Sequence, residues 1–312
     1  VTPQFPEFKP IGIEDRDIIR RRLEEYKPET SELNFTNMFI WRSHYGFSWS
    51  LYGDWLLVIG DSGNGLQALP PVGPPSRAPV SRMLLGWLEE DRKVREPSID
   101  RADARLVAEL SESGGFVCEP TREHFDYVYR TEDLVKLEGK SYRAKRNHLN
   151  YLMRSYRFIY EPITETRVGP CLALAEKWCV QRRCAEDLNL IGEGDATREA
   201  LLNFTALQIK GGAILIDGQV EAFTLGEPLG TNTAVVHIEK ANNDIRGLYA
   251  AVNQQFCEKE WSGIPFVNRE QDLGEPGLRE AKLSYNPDHL VEKFRVRLAI
   301  AGAQRPLHER SS

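Results

Sequence analysis

The sequence predicts a mixed α/β (α+β) chain built as two domains, which we place at residues 1–130 and 131–312. Three observations carry this expectation. A length of 312 residues suits two domains better than one, and 41% hydrophobic against 28% charged residues supplies enough apolar surface for real cores. Each half contains short β-rich runs framed by amphipathic segments. The second half orders them strand, strand, strand, helix, strand, as if the halves were diverged copies.

The elements follow in chain order. "FKPIGIEDRDIIRRRLEEY" moves from a short strand into a helix that Glu14, Asp15 and Asp17 start electrostatically and Pro28 ends. "SELNFTNMFIWRSHY" offers a second helix with Ser31 as its cap. "GFSWSLYGDWLLVIGDSGNGLQALPPVG" predicts a β-meander broken at Gly53-Asp54 and Asp61-Ser62-Gly63. After a Pro-rich turn come helices at "VSRMLLGWLEEDRK" and around "RADARLVAEL", then strands near "GFVCEP" and "FDYVYR". In the second half, strand "RFIYEPI" precedes helices "RVGPCLALAEKWCVQRR" and "ATREALLNFTALQ". Asp217-Gly218 then centres the hairpin "GGAILIDGQVEAFTLGEP", because this dipeptide suits the positive φ of a tight primed turn. Strand "TAVVHIEKA", helix "LYAAVNQQFCEKEW", strand "IPFVNREQD", helix "LREAKLSY" and a last segment "LVEKFRVRL" complete the chain.

Composition excludes several classes. Apolar residues are plentiful and glycine shows no period, which removes disordered and collagen-like readings. No apolar run reaches the roughly 18 residues that span a bilayer, and the first residues lack a signal peptide's pattern. Five cysteines, among them Cys179 and Cys184 on an apolar helix, include no C-x-x-C pair. They predict buried thiols in a reducing, cytoplasmic setting, without a disulfide framework or zinc ribbon. His44 and His124 stand singly beside aromatics, so no metal site is expected. "GDSGNG" has phosphate-loop glycines but no Lys, and predicts a hairpin turn. A net charge of −6 argues against duplex DNA as a partner.

The order of elements resembles the GCN5-related N-acetyltransferase (GNAT) fold. The C-terminal third sharpens the likeness: a helix opens at Gly247-Leu248-Tyr249, a polar strand holds Asn268-Arg269-Glu270, and Gly277-Leu278-Arg279 is followed by Lys282 and Tyr285. With "FDYVYRTEDLVKLEGKSYRAKRNHLN", this resembles the phosphatidylglycerol lysyltransferase C-terminal domain family over most of the chain. The resemblance implies tandem GNAT-like domains, each a mixed central sheet flanked by helices, similar in fold to Fem-type aminoacyl-tRNA-dependent transferases. It further implies an aminoacyltransferase that moves an aminoacyl group from aminoacyl-tRNA to an amine or hydroxyl acceptor. A CoA-dependent N-acyltransferase using acetyl- or acyl-CoA, and a noncatalytic binding module, share the fold and stay open. Lipid-modifying members of the family carry a membrane region ahead of this domain, whereas this sequence has none. The glycine-rich acetyl-CoA turn of ordinary GNAT enzymes is also absent, since Arg246 and Gly247 are followed by Leu248, Tyr249 and Ala250. Arg246 and Gly247 still present a helix start to a cofactor phosphate.

Strand alternation places Val235, His237 and Glu239 on one face, and groups Asn268, Glu270 and Asp272 in the later strand. If the strands splay, these faces converge. Acyl transfer to an amine or hydroxyl needs a base and a cation for the oxyanion. Glu239 or Glu270 suits the base, Lys282 the oxyanion or phosphate, Tyr285 the leaving group's proton, with His237 beside them and Asn268, Arg269 and Asp272 holding substrate. A structural ion-pair network among Glu239, Asp272, Arg269 and Lys282 is the competing reading.

"KSYRAKRNHLNYLMRSYRFI" carries six Lys/Arg and no acid within an acidic chain. As a helix it gathers Tyr142, Leu149, Leu152, Met153 and Tyr156 on one side and Arg143, Arg146, Arg154 and Arg157 on another, with Lys140 just ahead. Like charges on one edge repel, so an anion is expected to offset them. The chain's own carboxylates, tRNA phosphates and anionic lipid at the inner face of the membrane all fit.

Overall fold

The computed structural model describes residues 2–61 and 65–299. The centre of "GDSGNG", including the turn expected at Asp61-Ser62-Gly63, falls on residues 62–64, outside the described residues. The first half holds β1 (Lys9–Pro10), α1 (Arg16–Tyr26), α2 (Phe35–Ile40), α3 (Arg42–Tyr45), β2 (Ser48–Tyr52), β3 (Trp55–Asp61) and β4 (Leu66–Ala68). It continues with α4 (Ala78–Glu90), β5 (Ile99–Ala102), α5 (Ala104–Ser113), β6 (Phe116–Pro120) and β7 (Asp126–Arg130). The second half opens with α6 (Thr131–Lys136), α7 (Arg143–Ser155), β8 (Phe158–Pro162), α8 (Glu165–Arg182), α9 (Leu188–Leu202) and α10 (Phe204–Leu207). Then come β9 (Lys210–Ile216), β10 (Gln219–Leu229), β11 (Thr233–Ala241), α11 (Leu248–Glu260), β12 (Phe266–Asn268), α12 (Pro276–Leu283), β13 (His289–Val291) and β14 (Phe294–Leu298).

Two seven-stranded mixed sheets result. The first runs β1-β2-β3-β4-β5-β14-β6 and the second β13-β7-β12-β11-β10-β9-β8. Each contains one parallel pair, β4 with β5 and β11 with β12. Laid side by side the sheets are the same design, except that the last strand of each half inserts into the other half's sheet. β7 lies between β12 and β13, and β14 lies between β5 and β6. Sheet membership therefore crosses the expected division at 130/131. The expected single terminal segment 290–298 divides into β13 and β14, one strand in each sheet.

Side chains at the crossing points hold the exchange together. Lys293, which leads into β14, is fully buried; its ammonium lies 2.6 Å from Asp126, the first residue of β7, and 2.5 Å from Glu32. Ser31 donates to Asp126 through both its N–H and its hydroxyl, and Asn268 donates to the same carboxylate. Ser31 is thus an anchor rather than the expected helix cap. Asn34 caps α2 instead, its side chain accepting from the Asn37 N–H. Three apolar cores follow. One packs α4 and α5 on the first sheet, one packs α7 and α11 on the second, and the third, with α1, α2, α8 and α9, is shared between the halves.

Local chemistry explains the remaining differences. Asp217 and Gly218 take φ of 49° and 79°, so the predicted hairpin turn forms. Asp103 caps α5, leaving Ile99–Ala102 free to form a strand where a helix was expected around residue 101. Cys179 and Cys184 are joined as a disulfide, contrary to the expected thiols. Arg183 ends α8 in the left-handed conformation at φ 52°, turning the chain back until the two Cα atoms are 5.1 Å apart. The thiol-based case for a reducing setting loses that support. No helix among the described residues is long and apolar enough to cross a membrane.

Lys293→Met should destabilise the protein by about 3–5 kcal/mol in denaturant unfolding, because Asp126 would keep a fully buried charge without a counterion, while Glu32 would retain only Arg101 at 3.1 Å. A loss below about 1 kcal/mol would show that the crossing does not depend on this ammonium.

Candidate active site

The site begins where two strands part. β11 and β12 pair at Thr233–Phe266, Ala234–Val267 and Val235–Asn268, and no further. β12 stops because the Asn268 side-chain oxygen accepts from the Glu270 N–H at 2.8 Å, and Glu270 turns to a left-handed φ of 56°. In β11, Leu225 of β10 faces Ile238 but the next residue, Gly226, faces Val236, so His237 is an extra residue in a bulge. The bulge breaks the expected alternation. His237 and Glu239 point to opposite faces of the sheet.

Glu239 faces α11. One carboxylate oxygen takes the Arg269 guanidinium at 3.0 Å, and the other accepts from the Asn253 amide at 3.4 Å. The Arg269 guanidinium lies 4.7 Å from the Tyr285 ring and 5.8 Å from that of Tyr129. Lys282 donates to the Arg269 carbonyl, and the Tyr129 hydroxyl donates to the Lys282 carbonyl at 2.8 Å. From α7, Lys145 brings its ammonium to 3.9 Å over the Tyr285 ring. Three cations thus cluster here, Arg269 in contact with Glu239, Lys145 within its field, and Lys282 facing Glu270 and Asp126 as well.

Burial first, and neighbouring charge second, tune these groups. Burial, then Arg269, lowers the Lys282 amine to about 8, and the same two causes in the same order lower Lys145 to about 8. Burial disfavours charge on Arg269, but Glu239 outweighs it and keeps the guanidinium firmly protonated. Burial pushes the Tyr285 hydroxyl up to about 12. The arrangement is suited to an oxyanion or phosphate oxygen, because preorganised cations in a half-buried site lose little to solvent screening.

The other predicted residues serve elsewhere. His237, with only 1% of its side chain exposed, is clamped between Glu270 at 2.8 Å and Glu227 at 3.1 Å, and Asn37 also donates to Glu270. Neither ring nitrogen is open to substrate, and Glu270 lies away from Glu239 rather than beside it. Asn268 belongs to the Asp126 anchor. Asp272, fully buried, accepts from Tyr127 at 2.6 Å, from Arg279 at 2.8 and 3.0 Å and from the Gly274 N–H at 2.9 Å. Burial opposes its charge, but Arg279 and Tyr127 outweigh burial and hold the carboxyl at about 2. It is a structural clamp. Arg246 stacks 5.4 Å from the Tyr151 ring, and the His148 carbonyl of α7 abuts Gly247, where a Cβ would come within 2.4 Å. That carbonyl covers one side of the α11 start with partial negative charge.

The basic helix is shorter than projected. α7 ends at Ser155, so Lys140 and Arg157 flank it, and Met153 is 61% exposed rather than committed to the core. Arg146 is spent on the carbonyls of Leu137 and Gly139. Lys140, Arg143, Arg154 and Arg157 have no carboxylate partner among the described residues. Intramolecular pairing does not neutralise the edge. Sequence reasoning missed Lys145 and Asn253, although both left a signal. Lys145 stands three residues after Tyr142 and four before Leu149, on the apolar side of α7, and Asn253 interrupts the run "YAAVNQQF".

The His237 clamp makes stability depend on pH. Burial lowers its basicity, but Glu227 and Glu270 more than reverse this and raise it to about 9. The contribution is therefore whole below about pH 6.5, the unfolded value, and is lost as pH rises through about 9, by roughly 3 kcal/mol. Lys145 and Lys282 act with opposite sign above about pH 8. Unfolding measured on wild type and Glu227→Gln isolates the clamp, and the variant should lose most of the pH-dependent difference. Parallel curves would remove the charged imidazole.

Comparison with known proteins places this geometry. The family model "Phosphatidylglycerol lysyltransferase, C-terminal" matches residues 23–297. A conserved protein of unknown function from Bacteroides thetaiotaomicron is 34% identical, with a TM-score of 0.86 over 94% of this chain and 99% of that one. L-PGS from Bacillus licheniformis shares the fold at 15% identity, with a TM-score of 0.62 over 91% of this chain and 92% of that one. An uncharacterized protein of Mycoplasmoides gallisepticum is 23% identical over 180 residues, 55% of this chain; the chain spans 56% of that relative's length. With its two mixed, helix-flanked sheets and a family match over most of its length, the chain is a tandem GNAT-like protein and belongs to the phosphatidylglycerol lysyltransferase C-terminal family.

Proposed function

We propose that the protein is an aminoacyltransferase that takes the aminoacyl group of an aminoacyl-tRNA and passes it to a hydroxyl or amine acceptor. Membership of a transferase family supports the reaction class. One observation carries the finer reading: Arg269, Lys282 and Lys145 cluster where β11 and β12 part, directly inside a helix whose outer arginines are unpaired.

Transfer from an ester passes through a tetrahedral oxyanion. Arg269 and Lys282 supply fixed positive charge for it, while Glu239, itself held by the Asn253 amide, fixes the guanidinium and Tyr285 walls the site. The α7 edge, about 20 Å long at about 1.5 Å per residue, can follow the phosphates of an acceptor stem. The phosphatidylglycerol in the family's name offers a lipid head-group hydroxyl as one acceptor, and a peptide-like amine is another.

The CoA-dependent alternative is less well supported. It needs a phosphate site at the α11 start, where the glycine pattern is missing and the His148 carbonyl abuts Gly247. Incubation with labelled aminoacyl-tRNA and phosphatidylglycerol vesicles or amine acceptors should yield labelled product, whereas labelled acetyl-CoA should not. Product from acetyl-CoA alone would replace this reading, and failure of every donor would favour a binding module.

Arg143→Glu combined with Arg154→Glu should weaken tRNA binding at least about tenfold and reduce the slope of log affinity against log salt by about 2. Both side chains are exposed, so the fold should survive. Filter binding across a salt series checks this, and an unchanged slope would remove the phosphate contacts from α7.

A further inference from the structure

We propose that Lys145 is the proton-transfer base of this reaction: its amine takes the acceptor's proton during attack on the ester carbonyl and returns it to the departing ribose oxygen. The inference rests on the function proposed above, to which it adds a residue and a role. In the step, the acceptor O–H or N–H proton passes to Nζ as the new bond to carbon forms. The ester C–O bond then breaks, its electron pair stays with the ribose oxygen, and Nζ returns the proton there. Lys145 ends neutral and no further reactant is needed.

Elimination among the neighbouring groups leads to this residue. Glu239 has one oxygen on Arg269 and the other on Asn253. Glu227 and Glu270 are committed to His237, and Asp272 to Arg279 and Tyr127. Arg269 stays charged, and the Lys282 amine is tied to the Arg269 carbonyl. The Cys257 thiol is fully buried, and burial raises it to about 12. Tyr285 is also buried.

Lys145 alone among these combines a free amine with access. It has no hydrogen-bond partner among the described residues, is half-buried, and rests against the Tyr285 ring at 3.9 Å. Charged and titratable groups face it from several elements: Arg269 after β12, Glu239 on β11, Tyr285 after α12, and His148 on its own helix. Burial and Arg269 lower its basicity to about 8 while Glu239 opposes them, which places the amine near neutral working pH. Its helix also carries the unpaired arginines on the opposite side, so a donor docked along that edge reaches this amine with an end that extends past the helix.

Two measurements on the full chain test the proposal. Competitive acetylation with acetic anhydride across pH, read by mass spectrometry, should give Lys145 a midpoint near pH 8, well below the ordinary lysine value of about 10.4. A midpoint at the ordinary value would overturn the proposal without any need for turnover. In transfer assays, Lys145→Ala and Lys145→Arg should each lower kcat by roughly 10²–10⁴-fold, leave KM for aminoacyl-tRNA nearly unchanged and lose the rising limb near pH 8. Added methylamine should restore part of the Ala variant's rate. Wild-type rate and limb in Lys145→Arg would show that only the positive charge matters and would sink the base. Absence of transfer in wild type counts against the proposed function, whereas an ordinary Lys145 titration counts against the base alone.

Discussion

The ammonium of Lys293 is the contact on which the two halves depend. It sits where both exchanged strands cross, bound to Asp126 at the head of β7 and to Glu32 from the first half, with no exposure to water. A buried charge of this kind is a weak source of net stability, because desolvation consumes most of the Coulomb gain. Its effect is on specificity. Any arrangement that keeps β7 with the first sheet or β14 with the second separates this ammonium from Asp126, and two fully buried charges are then left without an ionic partner, whereas Glu32 keeps Arg101. The backbone reinforces the point, since both the N–H and the hydroxyl of Thr121, after β6, donate to the Lys293 carbonyl.

The exchange also shapes the site. β7 enters the second sheet beside β12 and brings Tyr129 and Tyr127 to the face where Arg269 and Lys282 lie. Without the exchange, β12 would be an edge strand, and Arg269 would lose the aromatic wall that shields it from water. Asn268 links the two events. Its amide nitrogen binds Asp126 in the crossing, while its oxygen takes the Glu270 N–H that ends β12 and opens the gap to β11. One side chain therefore ties the halves together and sets the point at which the strands of the candidate site part.

This coupling explains which features were legible in the sequence. Local signals were reliable: Asp217-Gly218 specified its hairpin, and the order of elements in the second half resembled the right family. The basic run was also identified, although its apolar side was drawn too wide at Met153. Alternation failed where one residue changed the register. The bulge at His237 and the Asn268 turn are specified by contacts with β10 and with the crossing, which a single strand's pattern does not contain. The destination of β14 was equally invisible, because "FRVRL" reads as a strand whichever sheet receives it. Among the proposed site residues, Glu239, Arg269, Lys282 and Tyr285 do come together, whereas His237, Glu270, Asn268 and Asp272 were grouped with them by a periodicity that the fold does not keep.

The basic helix then has two sides with different physics. Outside, Arg143 and Arg154 are solvated and unpaired, so their attraction for phosphate is long in range and sensitive to salt. Inside, Lys145 is half-buried among Arg269 and aromatic rings, where the cost of holding a proton is high and its basicity falls. A rigid helix fixes the distance between the two sides at about 10–12 Å, the diameter of an α-helix with its side chains. With the weak inner amine and the strong outer cations on one element, the proposed recognition and the proposed chemistry would be coupled without a moving part.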